Sequence, residues 1–167
     1  MSRHTVTAVD LSVVIVNHNH RPVIEKCLAS LHALPDRTTF EAVLIDNACS
    51  DGTPEWVAAR YPEIKVVRND VRRGFAANAN AGIRTLMRGR YALLLNPDVI
   101  CLPGLLDGLV AFMDGHPDSG VAAPLIWNED GTLQANCRRF PTPAALASRA
   151  LRIDTVWESP GVHAPSD

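Results

Sequence analysis

The chain has almost no lysine: Lys26 and Lys65 are the only two among 16 basic residues. The remainder are arginines, a bias that genome composition explains as readily as phosphate binding. Neither charge dominates. A formal net charge of -2 over 167 residues gives no general attraction to nucleic acid, so no such partner is expected. The four cysteines, Cys27, Cys49, Cys101 and Cys137, show no CxxC spacing. Dispersed in this way they read as reduced thiols of a cytosolic protein. No apolar run approaches the ~18 residues of a membrane span, and the N-terminus has no secretory apolar region. Internal repeats and low-complexity segments are missing too. These absences predict a soluble, cytoplasmic protein, with peripheral attachment at the inner face of a membrane left open.

What is present is ordinary in bulk and specific in detail. Hydrophobic content of 47% and charged content of 20% suit a globular protein of one domain, long enough to build a core. AVLIDNACSDGT, residues 42–53, is an apolar run that stops on Asp46, followed by a polar turn carrying Asp51. YALLLNPDV, residues 91–99, repeats the pattern and ends near Asp98. A buried strand that stops on an acid points it into the crevice at the carboxyl edge of an open α/β sheet, where such folds bind ligands.

The continuous β-branched run 11–17 predicts a first strand buried on both faces. A helix is expected over Pro22–Leu34, a strand over Glu41–Ile45, and a short helix near Thr53, with Thr53 as cap. A strand over 64–69, a helix over 74–88, a strand over 91–95 and a helix over Pro103–Met113 follow. A further strand is expected around Gly120–Pro124. A hairpin should turn on Asp130-Gly131 within LIWNEDGTLQANCRRF, and a short helix should cover Ala144–Leu151. Residues 1–10 read as a disordered lead-in and 144–167 as that helix with a loose tail. The alternation predicts an α/β fold, mainly a parallel sheet with helices on both faces.

Several residues invite chemistry, and each has a plainer reading. In RNDVRRGFAANANAGI, residues 68–83, Gly74 suits a tight turn and the helix start offers N–H groups to an anion. Alanines around Asn78 and Asn80 keep the surface low enough for an extended ligand; the alternative is a packing helix. Asp98 suits a hard cation, Mg²⁺ or Mn²⁺, which takes one or two carboxylates and fills its other positions with phosphate and water. Taken alone, Asn96-Pro97-Asp98 is better read as a turn, and Asp51-Gly52 as a turn or cap. Asp46 is harder to set aside, since a nucleobase imide N–H is a fitting donor to it. His18 and His20 have no third ligand in sight. Arg138 and Arg139 face phosphate or water, and Trp56, Trp127 and Trp157 read as core or edge packing.

Five ordered blocks, SVVIVNHN, LIDNACSDGT, RNDVRRGFAANANAGI, LLLNPDV and APLIWNEDGTLQANCRRFPTP, cover roughly residues 11–143. Together they resemble an inverting family 2 glycosyltransferase of the GT-A, Rossmann-like fold, in its rhamnosyltransferase-like branch. The resemblance implies a nucleotide-sugar-binding domain over 11–143. It places Asn17 and Asp46 against the base, and Asn69, Gly74, Phe75, Asn78 and Asn80 along the nucleotide. The family's DxD motif falls on Asn96-Pro97-Asp98, so Asp98 would hold Mg²⁺ or Mn²⁺ bridging the diphosphate and Asn96 would contribute weakly.

The implied donor is a nucleoside-diphosphate sugar, dTDP- or UDP-linked, with dTDP-rhamnose or a UDP-sugar expected, and the partner a glycan or lipid-linked acceptor. One departure stands out. The family carries its general base as an Asp in an acidic motif well downstream, beside the acceptor site. The later carboxylates here, Asp107, Asp114, Asp118, Glu129, Asp130, Asp154, Glu158 and Asp167, match no such motif, so no catalytic residue is assigned. A second chain supplying the acceptor half, a non-catalytic binding module and, less favoured, a nucleotidyltransferase are the competing expectations.

Overall fold

The computed structural model describes residues 9–86 and 88–134. The chain divides into two units, residues 1–124 and 125–167. The first unit runs β1 (Val9–Asn17), α1 (Arg21–His32), β2 (Phe40–Asp46), α2 (Thr53–Arg60), β3 (Lys65–Arg68), α3 (Phe75–Leu86), β4 (Gly89–Leu95) and α4 (Leu105–Gly115). All four strands are parallel, in the order β3-β2-β1-β4.

β1 is central because its sequence demands it. Leu11 to Ile15 are buried without a break, so neither face of the strand can meet water. Its odd residues Leu11, Val13 and Ile15 join one core with Ile24, Cys27, Leu28 and Leu31 of α1, Val57 of α2 and Leu106 of α4. Val14 joins a second core with Val43, Ile45 and, from α3, Ile83 and Leu86. The sheet therefore carries α1, α2 and α4 on one face and α3 on the other, as the alternating pattern predicts. Gly82 is the close-approach residue of that second face: a Cβ there would collide with Val14 Cγ1, so α3 rests directly on β1.

Element ends lie within two residues of the predicted bounds. One element differs in kind. Residues 120–124 form no strand: Val121 is 88% exposed and no described strand pairs with the segment. An apolar run that finds neither a pairing edge nor a core surface remains loop, and Pro124 removes one N–H from any ladder.

In the second unit, the turn expected on Asp130-Gly131 is a wider one. A single antiparallel bridge joins Trp127 to Leu133 across the loop Glu129-Asp130-Gly131. Gly131 takes the left-handed conformation at φ 80°, and the Asp130 carboxylate accepts from the Thr132 N–H and hydroxyl. Trp127 is 57% exposed, not packed. The residue 1–8 part of the lead-in, Arg138, Arg139, Trp157 and the helix expected over Ala144–Leu151 lie outside the described residues.

Candidate functional site

The strand order reverses between β1 and β4, since the chain leaves β1 toward β2 and β3 and returns on its other side. In open parallel sheets the crevice for ligands lies at the carboxyl ends beside such a reversal. Asn17 ends β1 and Asp46 ends β2, and the two are register partners. β4 ends at Leu95, opposite Ile15, so Asn96 and Pro97 carry the chain on to Asp98 beyond the same edge. The two acids that the sequence singles out thus share one edge, with β1 between their strands.

Around Asp46 the polar groups interlock. Asp46 is 4% exposed, and its Oδ1 accepts from the Cys49 N–H at 2.7 Å. Cys49 in turn receives the Asn17 side-chain amide at 3.4 Å and the Asn19 N–H at 3.3 Å. Burial, reinforced by the neighbouring Asp46 carboxylate, pushes the Cys49 thiol up to about 11, which keeps it protonated. Asn17 Oδ1 is buried with no hydrogen-bond partner among the described residues. An orphaned acceptor of this kind costs about 1–3 kcal/mol until a donor arrives. Ala48, between these groups, takes a left-handed backbone at φ 60°.

Asp51 belongs to the scaffold. One carboxylate serves two helices: Oδ2 accepts from the Arg21 N–H at the start of α1, and Oδ1 from the Thr53 N–H and hydroxyl at the start of α2. Thr53 is therefore the first helical residue and a donor to Asp51, not the cap itself. Burial works to raise the Asp51 pKa, but the hydrogen bonds from Thr53 and Arg21 prevail and hold it below the usual value. The histidine pair is likewise structural in part: His18 Nδ1 bonds the Asn47 carbonyl oxygen at 2.8 Å, while His20 is exposed.

The loop between β3 and α3 is held by amides. Asn47, which sequence reasoning passed over, clamps the Arg73 backbone at both ends: its Oδ1 accepts from the Arg73 N–H and its Nδ2 donates to the Arg73 carbonyl. Asn78 Nδ2 also donates to that carbonyl, and Asn69 Nδ2 donates to Asn78 Oδ1 at 2.6 Å. Asn78 is thus turned inward, 1% exposed, while Asn80 and Phe75 face outward. Gly74 is not in a left-handed conformation, and a Cβ there would meet nothing within 4 Å. The turn comes from the Asn47 clamp, not from glycine's freedom. The DN pair after β2 was the available signal, since an amide following a strand-end acid must find partners when buried.

Asp98 is the opposite case. Asp98 and Asn96 are exposed, and among the described residues nothing donates to the Asp98 carboxylate. No cluster of three or more metal-binding side chains occurs among the described residues. One open carboxylate suits a cation that arrives with its own phosphate ligands better than a resident ion. A depression of about 460 Å³ lies elsewhere, along α4, lined by Gly104, Gly108, Phe112 and Val121.

Comparison with known proteins decides the family. The model of glycosyl transferase family 2 matches residues 12–160. The chain belongs to that family. This family 2 chain is rhamnosyltransferase-like: it is 31% identical over 142 residues to the N-acetylglucosaminyl-diphospho-decaprenol L-rhamnosyltransferase of Mycobacterium tuberculosis, a match covering 79% of this chain and 46% of the relative. It therefore spans less than half the length of that relative. Among solved structures, the mannosyltransferase PcManGT from Pyrobaculum calidifontis, in complex with GDP-Man and Mn²⁺, aligns with TM-score 0.56 at 26% identity. That alignment covers 62% of this chain and 32% of the other. S. aureus TarS 1-349 aligns with TM-score 0.59 at 24% identity, over 65% and 33%. The α/β fold is of the GT-A type. No described helix is long and apolar enough to cross a membrane.

Proposed function

We propose that this chain is the nucleotide-sugar-binding part of a metal-assisted inverting glycosyltransferase. The observation that carries this reading is the contrast of acids at one sheet edge: Asp51 is consumed by two helix starts, while Asp98 stands open. Asn17 and Asp46 receive the base, and a base N–H reaching Asn17 Oδ1 would satisfy the buried acceptor. Gly74, Phe75 and Asn80 line the nucleotide, with Asn69 and Asn78 shaping that wall from behind. Asp98, with Asn96 beside it, would hold Mg²⁺ or Mn²⁺, and such a cation would supply positive charge to offset that of the leaving nucleoside diphosphate.

The donor is a dTDP- or UDP-linked sugar, rhamnose being the favoured one given the rhamnosyltransferase relative, and the acceptor a glycan or lipid-linked sugar. Work at the inner face of the membrane on a lipid-linked acceptor follows from that acceptor. An acceptor half and a general base beyond the residues assigned here would complete the reaction, the chain spanning less than half of its rhamnosyltransferase relative.

Calorimetry of UDP and dTDP, each with and without Mn²⁺, tests binding. The expected result is metal-enhanced binding that Asp46→Ala and Asp98→Asn each weaken. Absence of nucleotide binding would sink the reading. Binding without sugar transfer would instead favour a non-catalytic module, for which the unassigned base is the specific observation. Release of pyrophosphate from a nucleoside triphosphate and a sugar phosphate would point to a nucleotidyltransferase.

A further inference from the structure

The segment Asn96–Cys101, the first six residues of the loop from β4 to α4, is open at its middle and pinned at both ends. Asp98, at its centre, accepts no hydrogen bond from the described residues. At its start, the Cys27 thiol donates to the Asn96 carbonyl at 3.5 Å. At its end, the Cys101 N–H donates to Ser30 Oγ at 2.9 Å. Both anchors sit on α1, one turn apart, so they share one helix face. Ser30 also donates to the Cys27 carbonyl at 2.8 Å, an ordinary bond within the helix. Its acceptance from Cys101, 71 residues away, is not local and needs its own explanation. Cys27 and Cys101 are both buried in the main core, and Val99 packs against it, so the anchors rest on rigid ground.

We propose that Ser30 and Cys27 are positioning residues that fix where the Asp98 carboxylate stands relative to the diphosphate. This deepens the reading above and rests on Asp98 holding the cation. A hard cation accepts oxygen ligands only within a narrow range of distances, so releasing one end of the loop weakens its hold without removing any charge. Neither residue touches the nucleotide. Each acts through the backbone at one end of a six-residue segment.

The test is calorimetry on the full 167-residue chain, titrating UDP and dTDP with and without Mn²⁺, beside thermal melting without metal. Ser30→Ala should lose about three- to tenfold of the Mn²⁺-dependent gain in affinity, the loss expected for one hydrogen bond. Its metal-free affinity should stay within about twofold, by the same reckoning. Ser30→Thr, which keeps the hydroxyl, should restore the gain. A merely structural serine would lower the melting temperature and leave the metal-dependent gain intact, and that outcome overturns the proposal. Should Ser30→Ala not fold, Cys27→Ala releases the other end and carries the same expectation. Asp98→Asn separates the two failures. If it leaves the Mn²⁺ effect unchanged, the metal assignment fails. If it abolishes the effect while Ser30→Ala does not reduce it, the positioning role alone fails.

Discussion

Between residues 17 and 53, the loops leaving β1 and β2 hold each other at many points: Asn17 and Asn19 to Cys49, Asn19 to Ser50, His18 to Asn47 and Arg21 to Asp51. Between residues 96 and 101, the loop leaving β4 is tied only near its ends, and its acid faces water. Both lie at the carboxyl edge of one sheet. The difference teaches how a single edge divides its work. The first region is preorganised, as the proposed base site requires. The second leaves a carboxylate open, as the proposed cation site requires.

The sharpest way to break this comparison is to remove the open acid. Asp98→Asn should cost the Mn²⁺-dependent part of nucleotide affinity about 1.5–3 kcal/mol, the worth of a charged contact, or at least about tenfold in Kd. Melting without metal should not change, because nothing among the described residues depends on that carboxylate. A fall in metal-free stability would place Asp98 with the scaffold acids instead.

Next in size is Asn47→Ala. It removes both part-buried bonds to Arg73, whose carbonyl keeps only Asn78 Nδ2, a loss of about 1–3 kcal/mol in denaturant unfolding at about 0.5–1.5 kcal/mol per bond. Faster hydrogen exchange should be confined to residues 69–75. Uniform loosening of the whole sheet would mean that the clamp is no local device.

A smaller effect is expected of Asp51→Ala, which removes the acceptor of the first N–H of two helices at once and should cost about 1–2 kcal/mol. Its pH signature sharpens the contrast further. The folded pKa of Asp51 is depressed, so its carboxylate adds stability above the unfolded value of about 3.9, and that stability is lost as pH falls through the folded pKa. The stability gap between the native chain and Asp51→Asn should be flat near neutrality and close below about pH 4. A gap that persists in acid would show that hydrogen-bond geometry, not charge, is what matters there.

The alternation of strand and helix was legible because each strand is an unbroken apolar run and each helix keeps its own spacing. The end of β2 at Asp46 was legible for the same reason: the apolar text stops where the buried ladder stops. What could not be read was partnership at a distance. Asn47 looks like any loop amide until Arg73, 26 residues on, comes to its side. Ser30 looks like a tolerated helix serine until Cys101 meets it. Gly74 misled because glycine signals freedom in general, and here the fold asked for none. The run at 120–124 misled because strand propensity is realised only in pairing, and no described strand pairs with this segment.

β1 lies between β2 and β4, yet Leu95 follows Asn17 by 78 residues. A ribosome adding about 5–20 residues per second needs on the order of seconds to bridge that interval. Throughout it, the nascent chain holds its most apolar segment with one side of the backbone unpaired, ready to zip onto a neighbouring polypeptide. Birth, more than life once folded, is when this molecule is most at risk of clumping.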